Sequence, residues 1–223
     1  MTRDFASRFT AVTFFAAAAM LWLGWMVMPV HLGTFFQPED FAKVNAHLHL
    51  WIWTYRVHLF GMIVAVIALV ALGSQLVGSP ARVVAWPGIA VAAGGLFVGA
   101  VGAAFYYHHG AWGAQQMEGK SPDEIQRFVE ALRIDTEYIT CLVRFSRVFS
   151  GLGLVLLGWA LAGWRILPRW IGVLAALIGL AAIAVTMGLP DDLSLYMPIF
   201  HVLAFWLAAM GAVIFRHGLR LGD

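Results

Sequence analysis

Charge is scarce in this sequence: 12% of its 223 residues are Asp, Glu, Lys or Arg, and 61% are hydrophobic. Soluble domains carry about 25% charged and roughly 45–50% apolar residues. There is too little charge here to clothe a water-facing surface of this size, so the outer surface is expected to face lipid. Cysteine is nearly absent. The single Cys141 excludes an intrachain disulfide, a C-x-x-C redox pair and a thiolate zinc site within one chain. The net charge of +2, with no basic cluster interleaved with aromatics, gives no footing for nucleic acid. The sequence also lacks GxSxG, a glycine-rich phosphate loop, a membrane-embedded Asp pair, HExxH and any Glu-x-x-His pair. A metal or cofactor site would have to be assembled across helices.

What is present is a series of apolar runs, each near the roughly 20 residues that a helix needs to cross a bilayer. The first is expected from Ala11 to Val30, closed by Pro29 and a polar loop. No A-x-A site ends it, so it reads as a span rather than a removed signal. The others are expected from Ala46 to Leu76, Val83 to Tyr107, Tyr138 to Trp164, Trp170 to Met187 and Tyr196 to Phe215. The longest polar stretch follows the third run. Inside it, Ser121-Pro122-Asp123-Glu124 is a helix-start signature: a capping Ser, a Pro suited to the first helical position, and acids at the positive end of the dipole. That helix is expected to continue into the fourth span. Residues 1–223 thus read as one all-α transmembrane domain of about six helices, with a loop and helix on one side at about 108–137.

Arginine placement orients it. The N-terminal end, the 78–82 turn, the 165–169 link and the C-terminus hold Arg3, Arg8, Arg82, Arg165, Arg169, Arg216 and Arg220 against Asp4 and Asp223, a balance of +5. The remainder holds seven bases and ten acids. The positive-inside rule assigns the arginine side, and with it both termini, to the cytoplasm. The expected location is therefore a bacterial cytoplasmic membrane with the other face periplasmic. Trp51, Trp53, Tyr55, Tyr106, Tyr107, Trp112, Tyr138 and Tyr196 are expected in the outer aromatic belt, and Trp86, Trp164 and Trp170 in the inner one. Gly95, Gly99 and Gly102 on the third span, and Gly151 and Gly158 on the fourth, are expected to seat close helix contacts.

On this topology seven of the eight histidines lie toward the outer face and only His217 lies inside. At about 100° per residue, His47 and His58 share a helix face with Thr54, while His49 and Arg56 share another. His58 is the deepest, one turn from Met62, and His201 sits over Met197. An ionisable residue within a span usually points into the bundle and marks function. Imidazole suits haem iron, copper and zinc. His47, His49, His58, His108, His109 and His201 form the candidate metal-ligand set. The competing reading is that His31, His47, His49 and His109 are ordinary interface residues. For a b-type haem the expected axial ligand is His58 with His201 or His108, or a Met in place of one. Arg56, Arg144 and Arg147 would serve the propionates. The alternative for those arginines is pairing with Asp135 or Glu137. Copper or another transition metal is the second cofactor expected, because Met26, Met28, Met117, Met187 and Met197 also lie toward the outer side.

The stretch Tyr55-Arg-Val-His58-Leu-Phe-Gly-Met62 resembles the haem-bearing second helix of haem-copper oxidase subunit I, and what that resemblance implies carries over to His58 alone as a haem ligand. The copper-ligand motifs of that family are missing. Trp164-Arg-Ile-Leu-Pro-Arg-Trp170, with the spans after it, resembles uncharacterised bacterial multi-span membrane proteins.

The functional expectation is a membrane-embedded haem- or metal-binding redox protein, an oxidoreductase or electron-transfer subunit acting at the outer face. Its partners would be a quinone in the bilayer or an outer-side electron carrier. Two other classes fit less of the pattern. One is a non-catalytic subunit or assembly factor of a larger membrane complex. The other is a small-solute or ion transporter, with Asp191 and Asp192 at its entry.

Overall fold

The computed structural model describes residues 3–31, 35–190 and 193–220. They form seven helices and no strand: α1 (Arg3–Met26), α2 (Pro38–Ala46), α3 (Leu48–Gln75), α4 (Arg82–Gln116), α5 (Pro122–Gly163), α6 (Arg169–Gly188) and α7 (Leu193–His217). All except α2 are long and apolar enough to span a membrane, so the protein is an integral membrane bundle of six spans. The spans pack in chain order, and α7 returns to α1.

Contacts at the two ends fix the up-and-down arrangement. At one end, the Ser7 hydroxyl donates to Gln75 Oε1 at 3.1 Å and Gln75 Nε2 donates to Thr10 Oγ1 at 2.6 Å. The Arg220 backbone N–H donates to the Ile166 carbonyl, beyond the end of α5. This arginine end gathers Arg82, Arg165, Arg169 and Arg216 with it. At the opposite, histidine end, the Trp25 indole donates to Met197 Sδ at 2.7 Å, joining α1 to α7.

The small residues do what the sequence implied. Gly95, Gly99 and Gly102 face Ser150, Ser146 and Val143 across the α4–α5 seam, while Gly151 and Gly158 lie against the backbones of Gly179 and Gly172 on α6. A methyl group at Gly95 or Gly151 would collide with backbone on the neighbouring helix. In lipid, where apolar burial supplies little drive, such close approach is the main source of helix adhesion.

Three sequence expectations need correction. First, residues 38–46, expected as loop, form α2, and its Gln37-Pro38-Glu39-Asp40 start has the same grammar as Ser121-Pro122-Asp123-Glu124. The Gln37 N–H donates to Asp40 Oδ2 at 2.9 Å, and Pro38 occupies a position where its missing N–H costs nothing. The chain then bends at His47 (φ −132°) before α3 begins. Second, α4 does not stop at Tyr107 but runs to Gln116, so His108 and His109 lie within a helix. With 42 residues α5 is about 63 Å long, roughly twice the 30 Å hydrocarbon thickness. The α4–α5 hairpin therefore projects beyond the bilayer at the histidine end. Third, Trp51 and Tyr55 are not belt residues: they are 0% and 7% exposed. They belong to a second apolar core with Met28, Phe36, Phe41, Val44, Ala114 and Leu132, in which α2 is clamped against the projecting hairpin. This cap lies over α3, α4 and α5 at the histidine end.

Candidate functional site

Beneath the cap, α1, α3, α4, α5 and α7 surround a cavity of about 220 Å³. Its apolar wall includes Leu21, Leu96, Leu203, Trp25 and Phe200, and three thioethers join it, Met28, Met62 and Met197. Most of the polar lining comes from α3 and α5, with Tyr106 of α4 and Tyr196 of α7 joining it. Tyr55 and His58 are one turn apart on α3, while Thr140, Ser146, Arg147 and Ser150 lie along α5.

His58 is fixed by its surroundings. Gly24 lies directly on its backbone, and any larger residue there would push α1 and α3 apart. The imidazole is 6% exposed, with Trp25 and Phe200 each 5.9 Å away between ring centroids. Nδ1 lies 3.4 Å from the Leu21 carbonyl oxygen, a long contact that assigns the proton to Nδ1. Nε2 has no hydrogen-bond partner among the described residues, and the ring lines the cavity. Tyr55 is in the same condition. It is held by Trp51 at 4.6 Å, yet its hydroxyl has no partner among the described residues. His58 Nε2 and the Tyr55 hydroxyl thus lie one turn apart on the same wall of the cavity.

On the opposite wall, the Arg147 guanidinium lies 4.5 Å above the Tyr196 ring, and the Tyr106 hydroxyl is 3.2 Å from Thr140 Oγ1. The cation–π contact holds Arg147 between α5 and α7. One heptad turn from the sequence expectation, Arg144 donates to the Thr186 carbonyl at 2.7 Å and not to Glu137, which pairs with Arg133 at 3.3 Å. Arg144 ties α5 to α6 and does not line the cavity.

The other expected site residues are dispersed. His47 and His49 are exposed at the start of α3. Arg56 is exposed too; its Nε donates to the Tyr107 hydroxyl at 3.2 Å and its guanidinium covers the Trp53 ring. His108 is exposed and stacks on Trp112, and half-buried His109 lies on Phe105 with Nδ1 3.1 Å from that residue's carbonyl oxygen. His201 is half-buried beside Phe200 but outside the cavity lining. His31 lies 5.1 Å from Trp25, and the water lost there lowers its pKa below the usual 6.5. Among the described residues, no three His, Cys, Asp or Glu side chains come together as a metal-binding group. Asp191 and Asp192 lie outside the described residues. Of the expected set, the cavity therefore brings together His58 and Arg147. It adds Tyr55, whose spacing of three from His58 on one helix was the available signal.

The chain matches no protein-family model, no curated protein and no solved structure.

Proposed function

We propose that this chain is a membrane-embedded redox protein that holds a redox-active group in the cavity at its histidine end. The observation that carries this reading is His58: a buried imidazole with Nδ1 anchored to a backbone carbonyl and Nε2 left for a ligand. A backbone carbonyl at one ring nitrogen is what fixes the tautomer and direction of a functional histidine. The arginine end is read as cytoplasmic by the positive-inside rule, which makes the cavity periplasmic-side in a bacterial cytoplasmic membrane. The electron partner is then a quinone in the bilayer or a carrier at the outer face.

The lining has donors for more than one kind of redox group. A haem iron would draw on His58 with Met62 or Met197, and Arg147 would face a propionate. The same imidazole and thioethers suit copper. In either case the site would rest on His58 and not on the wider histidine set, because His47, His49, His108, His109 and His201 are elsewhere.

The test is chemical inventory. Protein purified in mild detergent is examined by visible absorption, metal analysis and solvent extraction for quinones. The reading expects one redox-active group near stoichiometry, sharply depleted in His58→Leu. A protein with no such group in any of the three measurements contradicts it.

A further inference from the structure

We propose that the occupant of the cavity is the ring of a quinone or quinol drawn from the bilayer, held across its two oxygens by α3 on one side and α5 on the other. This rests on the redox reading above and specifies its ligand.

Size comes first. Pockets for drug-sized ligands measure about 300–1,000 Å³, and this cavity, at about 220 Å³, lies below them. That is the scale of a single substituted ring. Polarity comes second. The cavity wall is mostly apolar, with hydrogen-bonding groups concentrated on α3 (His58 and Tyr55) and α5 (Thr140, Ser146, Arg147 and Ser150), and with Tyr106 of α4 and Tyr196 of α7 beside them. A flat apolar body with one oxygen at each end is the shape of a para-quinone. The Tyr55 hydroxyl is a donor to a quinone oxygen, and His58 Nε2 is an acceptor for a quinol hydroxyl. Both atoms lack a protein partner among the described residues. Arg147 lines the cavity on the α5 side, where its guanidinium is held over the Tyr196 ring.

Position identifies the source. Met28 and Tyr55 belong at once to the cap core and to the cavity wall, so the cap packs directly against the cavity. His58 is ten residues into α3, about 15 Å along its axis. A ligand at that depth arrives through lipid.

The experiment uses the whole chain in lipid nanodiscs and two probes, a benzoquinone with a decyl tail and the same ring without a tail. Quenching of tryptophan fluorescence reports binding, since Trp25 forms part of the wall. Saturable binding of the tailed probe is expected, weakened about tenfold by Tyr55→Phe and by Arg147→Gln, the usual effect of losing one buried hydrogen bond. His58→Leu should weaken it more than His58→Gln, because the amide keeps both a donor and an acceptor. His217→Ala, at the arginine end, should bind as wild type. Tyr55→Phe removes one oxygen, and an unchanged melting temperature shows that the fold is intact.

The proposal is overturned if the tailed probe does not saturate, or if Tyr55→Phe and His58→Leu both bind as wild type does. Binding of the tail-less probe alone overturns the lipid source. Its failure is distinct from that of the redox reading. A stoichiometric haem or metal with no quinone binding removes this inference and keeps the redox site. Quinone binding with no change on reduction keeps the ligand and removes the redox role.

Discussion

The Leu21 carbonyl oxygen on α1 and His58 Nδ1 on α3 lie 3.4 Å apart, and the same imidazole lines the cavity. The contact depends on how closely the two helices approach, and Gly24 sets that distance: a methyl group there would lie 2.8 Å from the His58 backbone nitrogen. Gly24→Ala is therefore expected to lower stability by about 1–3 kcal/mol, the usual cost of overpacking. It should weaken ligand binding at His58 as well. Thermal unfolding in detergent together with the quinone titration checks both effects.

A second prediction concerns the α1–α7 junction. The Trp25 indole has Met197 Sδ as its acceptor. Met197→Leu keeps the volume but leaves a half-buried N–H without its thioether acceptor, which costs about 0.5–1.5 kcal/mol. Met197→Gln restores an acceptor and should recover part of the loss. If leucine is as stable as methionine, the contact is packing and nothing more.

The arginines divide by burial. Arg144→Leu removes a charged hydrogen bond to the Thr186 carbonyl, and a loss of about 1.5–3 kcal/mol is expected. Arg133→Ala breaks an exposed pair with Glu137 and should fall within the roughly 0–1 kcal/mol of surface pairs. Denaturant or thermal melts of the two variants side by side provide the comparison, and equal losses would contradict the assignment.

The cap gives a spatially restricted prediction. Phe41 is 2% exposed and rests between Phe36, Phe128 and Gly113. Phe41→Ala should cost about 3–5 kcal/mol of local packing. Hydrogen exchange should rise in α2 and in the outer part of the α4–α5 hairpin, while the arginine end stays protected.

Much of this bundle was legible in the sequence because a span is a simple quantity: enough consecutive apolar residues to cross hydrocarbon. The length of a helix is a different quantity. Lipid sets where a span ends, but backbone hydrogen bonding sets where the helix ends, and α4 continues through Tyr107, His108 and His109 into water. Reading those polar residues as loop confused the two. The start at Pro122 is legible and the like start at Pro38 is not, since α2 is only nine residues long and carries no apolar run. At the site, His58 stood out because an ionisable residue is rare at that depth. Tyr55 did not, because tyrosine near a span end is expected at the interface, and only the cap, a tertiary feature, buries it. Arg144 likewise shared a helix face with Glu137, yet the close α5–α6 seam offered it the Thr186 carbonyl instead.

Orientation can be settled with the lone cysteine removed as Cys141→Ser. In that background, Glu118→Cys lies in the exposed turn of the cap and Gly78→Cys in the exposed turn between α3 and α4. An impermeant maleimide added to intact cells is expected to label the first and spare the second. The reverse pattern would place the cavity on the cytoplasmic side.

Redox-difference infrared spectroscopy of the purified chain, wild type against His58→Leu, bears most directly on the central claim. The account predicts a reversible difference spectrum on reduction and reoxidation that contains imidazole ring bands, with those bands absent from the variant. A wild-type protein that gives no difference spectrum, or one whose bands persist unchanged without His58, would contradict it.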